Sequence, residues 1–189
     1  MKRPSIKQAL VMTLSVICAF VIGLSYVSLT TISTINANTE QIGTFWIQRL
    51  VIAREIKGNF SDLKLAYSHY LLETTREEQK SVAGQIAGAD GAVDKAVDIY
   101  EKGVRTERGR ELINRIKPEL AKYRQLAEQM IALQSSGKTA EAARFFKASM
   151  EPQAEKMNKA VADLVAFILG QAEGFVQTSD AAARSAFVL

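Results

Sequence analysis

The chain has 189 residues, a formal net charge of +4, 48% hydrophobic residues and only 3 Pro. It is too apolar for a disordered chain and too poor in proline for a structure rich in turns, so long helices are expected. Its length suits one compact domain plus a membrane segment. Basic and acidic residues alternate along it without a concentrated basic stripe, which excludes a nucleic-acid footprint. Cys18 is the single cysteine, so the chain can form neither an internal disulfide nor a thiolate metal site.

Lys2, Arg3 and Lys7 supply three of the net positive charges, and no charged residue follows until Glu40. Residues 9–31 form an apolar run, and about 20 such residues suffice to cross the hydrocarbon core of a bilayer. A transmembrane helix is therefore expected over residues 8–32. Its hydroxyls at Thr13, Ser15, Ser25 and Ser28 can bond back to helix carbonyls. A cleaved signal peptide is the rival reading. Its apolar core usually spans about 7–15 residues and ends in an A-x-A-like site; this run is longer, and residues 32–41 offer no such site. The positive-inside rule leaves residues 1–7 in the cytoplasm and puts the chain beyond about Ile35 on the far side of the membrane. At the other end residues 186–189 turn apolar, and the start of a second span is expected there, with an ordinary apolar terminus as the alternative.

Between these ends apolar residues recur at steps of three and four, the signature of helices. Ile42, Trp46, Ala53, Ile56, Phe60, Leu63, Tyr67 and Leu71 make one stripe. Val82, Ile86, Val93, Val97 and Tyr100 make a second, interrupted by Gly84, Gly88 and Gly91, which lower helix propensity but allow close approach of a neighbouring backbone. Leu112, Ile116, Leu120, Tyr123, Ala127 and Met130 make a third, and the series from Met150 through Met157 and Leu164 to Phe175 a fourth.

The punctuation matches. Residues 73–78 read as a turn followed by an acid-rich first helical turn. Gly103 and Thr106 separate the second helix from the third, with Thr106 as N-cap. Residues 135–139 end the third helix. A short separate helix is expected over 140–149, followed by one with Pro152 in its first turn. No window alternates with period two long enough for a strand. The expected fold is all-α: an antiparallel up-down four-helix bundle over residues 33–185, with the transmembrane helix continuous with the first bundle helix.

The layout resembles the extracytoplasmic four-helix-bundle sensor domain of bacterial methyl-accepting chemotaxis proteins. The local signatures are residues 53–59 (AREIKGN), continuing through Leu63-Lys64 to Leu71-Leu72, and residues 136–142 (SGKTAEA) before the last helix. The same bundle is similar to sensors attached to histidine kinases and cyclic-dinucleotide enzymes. The resemblance implies a homodimer in the bacterial inner membrane, with its bulk in the periplasm. It implies a small-molecule ligand, an organic acid or amino acid. It further implies a cytoplasmic chemotaxis kinase and adaptor engaged through a C-terminal part after Leu189.

In amino-acid-sensing members, first-helix arginines clamp a carboxylate together with the start of the fourth helix. Lys57 occupies the position of the first arginine. The later two hold Asp62 and Ala66, which depart from the pattern, and Glu151-Pro152-Gln153 falls at the fourth-helix contact. An acidic Glu151 is unfavourable for a dicarboxylate.

The candidate ligand-binding residues are thus Arg54, Lys57, Lys64, Tyr67, Glu151 and Gln153. The basic ones, with Arg49, can bind an anion or simply form a solvated face. Tyr67, Tyr70 and Tyr123 can line a pocket or fill the core. His69 is the lone histidine. With no Cys/His pair, no Gly-rich phosphate loop and no H-x-x-x-H spacing, neither enzyme chemistry nor a cofactor or metal is expected. A single-span structural or assembly protein is the alternative from another class.

Overall fold

The computed structural model describes residues 6–187. Lys2 and Arg3, and the side chains of the expected second-span start at 186–189, lie outside the described residues. All elements are helical: α1 (Ile6–Glu40), α2 (Ile47–Leu72), α3 (Arg76–Gly103), α4 (Glu107–Ser135), α5 (Thr139–Phe145) and α6 (Glu151–Phe187). π-helical turns at Gln41–Trp46 and Phe146–Met150 join α1 to α2 and α5 to α6. The chain divides into two compact units: Met1–Phe45 with Gln171–Leu189, and Trp46–Gly170.

The unit Trp46–Gly170 is the four-helix bundle, made of α2, α3, α4 and the α5–α6 helix. Each expected stripe faces its core within residues 46–170, while Ile42 and Phe175 at the stripe ends belong to the other unit. Ala53, Ile56, Phe60 and Leu63 of α2 meet Val93 and Tyr100 of α3, Ile116 and Tyr123 of α4, and Met157 and Leu164 of α6, all fully or almost fully buried. Burying an aliphatic or aromatic side chain of this size contributes about 1.5–3 kcal/mol, so the stripes rather than helix propensity hold the bundle.

The helix ends are closed by local bonds. Thr75 caps α3: its hydroxyl accepts from the Glu78 N–H at 3.3 Å, while the Glu78 carboxylate accepts from the Thr75 N–H and hydroxyl at 3.3 and 2.6 Å. Those bonds hold the Glu78 carboxyl below its ordinary pKa. Thr106 caps α4, accepting from the Gly109 N–H at 3.1 Å. Gly137, at φ 77°, ends α4 in the left-handed region that glycine adopts without steric cost. The α3 C-terminus is closed across the bundle. Arg49 of α2 donates to the carbonyls of Ile99 and Tyr100 at 3.3 and 3.2 Å. Its guanidinium packs where a side chain at Gly103 would start, so a larger residue there would have to displace it. Arg124 ties α4 to α3 through Asp90 and Asp94 at 2.7 and 2.8 Å.

Two expectations are corrected. The helix over 140–149 is not separate, because helical residues run unbroken from Thr139 to Arg184. Pro152 lacks the N–H that would bond to residue 148, and the widened turn Phe146–Met150 just before it accommodates that missing bond without ending the helix. Nor do Gly84, Gly88 and Gly91 admit a neighbouring backbone: nothing lies within 4 Å of a Cβ built on any of them, so they face open space.

In the other unit, helical residues continue without a break from Ile6 into α2, ending at Leu72, as expected. The apolar residues of α1, among them Val11, Leu14, Ile17, Phe20 and Leu24, are exposed around its circumference. By length and composition α1 can cross a membrane. The Thr139–Arg184 helix passes the same test, although 22% of its apolar window is buried.

Candidate functional site

A groove of about 520 Å³ lies between α2 and the α5–α6 helix. From α2 it takes Asp62, Lys64 and Leu65, with Ser61 and Ser68; from the other wall come Phe146, Glu151, Glu155 and Asn158 over Ala154. The helix period explains the α2 wall. Ser61, Leu65 and Ser68 lie at steps of four and three, on a stripe distinct from the core stripe Phe60, Leu63 and Tyr67. On the other wall Phe146 is the first residue of the π turn Phe146–Met150 and Glu151 directly follows the turn. Widened helical turns of this kind are frequent at functional sites.

The groove brings together two of the residues expected to bind ligand, Lys64 and Glu151. Its charged lining is one ammonium, Lys64, against three carboxylates, Asp62, Glu151 and Glu155. None of these four is in an ion pair among the described residues. Leu65, Ala154 and Phe146 give an apolar floor, and two hydroxyls and the Asn158 amide add uncharged donors and acceptors. That combination suits a small polar solute with a positive group and an apolar part.

The other expected contacts lie elsewhere. Arg54 and Lys57 are exposed on α2 outside the groove. Lys57 precedes Lys64 by seven residues, about 10.5 Å along a helix. Tyr67 is a core residue, 6% exposed, its ring edge-to-face with Tyr123 at 5.9 Å. Burial, reinforced by nearby Asp90, pushes its phenol up to about 12, so it stays a neutral hydroxyl. Gln153 is also buried, 6% exposed, and its amide donates to the Glu119 carbonyl at 3.1 Å and the Glu119 carboxylate at 2.6 Å. It braces α6 against α4. Gln153→Ala is therefore expected to cost about 1–3 kcal/mol, read as a lowered melting temperature, while leaving solute affinity unchanged. Ser61, Leu65, Phe146, Glu155 and Asn158 were not anticipated as lining residues. For the α2 members the signal was present, since they share one helix face with Arg54 and Gly58.

Similarity to known proteins agrees with this architecture. A solved structure described as the periplasmic sensor domain of a sensor histidine kinase superposes with a TM-score of 0.61 at 17% identity, over 76% of this chain and 94% of that one. At that identity the likeness speaks for the fold. Among curated proteins no match was found. The family described as the four helix bundle sensory module for signal transduction matches residues 3–183. With almost its whole length matched, and the bundle seen directly, the chain belongs to the four-helix-bundle sensory modules of signal transduction.

Proposed function

We propose that this chain is the ligand-sensing part of a transmembrane chemotaxis receptor: a homodimer in a bacterial inner membrane, anchored by residues 8–32, with residues 33–185 in the periplasm. A small solute binds in the α2/α6 groove, and binding shifts one of the groove's walls. A following cytoplasmic part passes the shift to a chemotaxis kinase and adaptor. The observation that carries this reading is that the groove is walled by α2 and α6, the two bundle helices that run on beyond the bundle, α2 into α1 and α6 past Gly170. A solute bridging them acts on those helices directly.

The excess of carboxylates over ammonium in the groove favours an amine-bearing solute, an amino acid or simple amine, over a dicarboxylate. A thermal-shift panel of amino acids, amines and dicarboxylates on the full chain in lipid nanodiscs tests this. At a concentration a hundredfold above Kd, binding is expected to raise the melting temperature by about 5–10 °C. Glu151→Gln combined with Glu155→Gln should weaken an amine by about tenfold or more. A panel with no shift, or a dicarboxylate that binds as well to the wild type as to the double variant, counts against the groove.

A second reading, a histidine-kinase sensor, is favoured by the structure it resembles. Ligand-dependent phosphorylation of a separate chemotaxis kinase supports the first reading. Autophosphorylation of the same polypeptide supports the second.

A further inference from the structure

In the unit made of Met1–Phe45 and Gln171–Leu189, two helical segments run in opposite directions, and their partly covered residues form facing stripes. Ile35, Asn38, Ile42 and Phe45 lie on one; Ala172, Phe175, Ser179 and Ala182 lie on the other. With Asn38 level with Ser179, an antiparallel pairing sets Ile42 level with Phe175 and Ile35 level with Ala182. The named positions are apolar apart from that polar crossing, and Thr31, four residues before Ile35, adds a second half-covered hydroxyl to the first stripe.

At that crossing the Asn38 side-chain amide donates to the Ser179 hydroxyl oxygen at 3.1 Å, and the hydroxyl donates its own proton to the Phe175 carbonyl at 3.0 Å. The serine proton is committed to its own helix, so Ser179 can only accept across the seam and Asn38 must donate. Apolar contacts tolerate an axial slip, since one methyl packs about as well as the next. A directed hydrogen bond does not. A slip of one helical turn, about 5.4 Å, taken across the 3.1 Å bond, parts the two groups to about 6 Å, beyond hydrogen-bonding distance. Asn38 is half-buried, and an asparagine in an apolar helix seam fixes register at some cost in stability. The crossing also lies two residues before Glu40, the first charged residue after Lys7.

We propose that Asn38 and Ser179 form a register latch, which holds the two segments at one axial offset and must open before the C-terminal segment can move along the N-terminal one. The latch holds whatever the groove binds; its use in signalling rests on the sensory reading above.

Cysteine cross-linking in the full chain, in vesicles and with Cys18→Ser as background, reads register without any ligand. One pair, Ile42→Cys with Phe175→Cys, is level; the other, Ile42→Cys with Ala172→Cys, is offset by three residues. The level pair should cross-link faster. Asn38→Leu or Ser179→Ala should lower the ratio of level to offset cross-linking by about three- to tenfold, the contribution of one neutral hydrogen bond. Ser179→Thr, which keeps the hydroxyl, should preserve the ratio. Asn38→Leu should leave the melting temperature unchanged or raised, since leucine suits the apolar seam. An unchanged ratio in both disrupting variants overturns the latch. So does a ratio that falls only together with a lower melting temperature, because Asn38 would then merely support the fold. Neither result bears on ligand binding in the groove, which the thermal-shift panel tests separately.

Discussion

Phe60→Ala should destabilise the bundle by about 3–5 kcal/mol, the range for truncating a fully buried aromatic residue, and lower the melting temperature by roughly 10 °C or more. Phe60 is 1% exposed and its ring meets Tyr123 edge-to-face at 5.0 Å with an interplanar angle of 70°. Such a pair adds about 0.5–1.5 kcal/mol beyond the apolar area it buries. Tyr123 also packs against Tyr67, so Phe60 anchors one side of a three-ring cluster joining α2 to α4. Truncation leaves a cavity that neighbouring rings, fixed on helices, cannot fill. The same cluster predicts an effect of opposite sign. The Tyr123 hydroxyl is buried without a hydrogen-bond partner among the described residues, and burial holds its pKa far above the ordinary value. Tyr123→Phe removes that unsatisfied group and keeps the ring, so it should stabilise by about 1 kcal/mol. Chemical denaturation of the two variants measures both effects. A destabilising Tyr123→Phe would mean that the hydroxyl is satisfied after all.

The bundle was legible because each helix carries its core on one stripe and its ends are marked by residues whose chemistry is local. Thr75 and Thr106 cap helices through bonds to residues three positions on, so no distant contact is needed to anticipate them. The continuation through Pro152 was not legible. Proline usually marks a helix start or a break, and whether a widened turn can accommodate it depends on packing around Phe146 and Met150. The candidate groove was half legible. Lys64 and Glu151 were singled out by charge and by resemblance, but their meeting depends on how α2 and α6 pack. Gln153, two positions from Glu151, points to α4 instead, since successive helical positions diverge by about 100° and a side chain's neighbours change completely over two residues.

In the homodimer proposed above, Leu65→Arg is expected to weaken self-association by at least about tenfold while leaving the bundle folded. On α2, Ile47, Val51, Leu65 and Leu72 are exposed at 52%, 49%, 52% and 74%. They fall on a regular series, residues 47, 51, 54, 58, 61, 65, 68 and 72, at alternating steps of four and three. Four of these eight positions are apolar and the others are Arg54, Gly58, Ser61 and Ser68, so the series is a mixed apolar and polar face, distinct from the core stripe, that a partner helix would meet in the proposed homodimer. A two-fold dimer would bring each stripe against its own copy, so an arginine at position 65 sets like charges across the seam from both chains at once. The cost to the monomer should stay within about 0.5 kcal/mol, because Leu65 is half exposed before assembly. Sedimentation of the chain in detergent over a range of concentrations separates the two effects. A smaller mass with an unchanged melting temperature supports the α2 seam, and an unchanged mass removes it. Leu65 also floors the groove, so a dimer built on this stripe would set the two grooves beside the shared seam. Solute affinity should then fall with self-association in Leu65→Arg. In Gln153→Ala, whose side chain is turned to α4, neither should change.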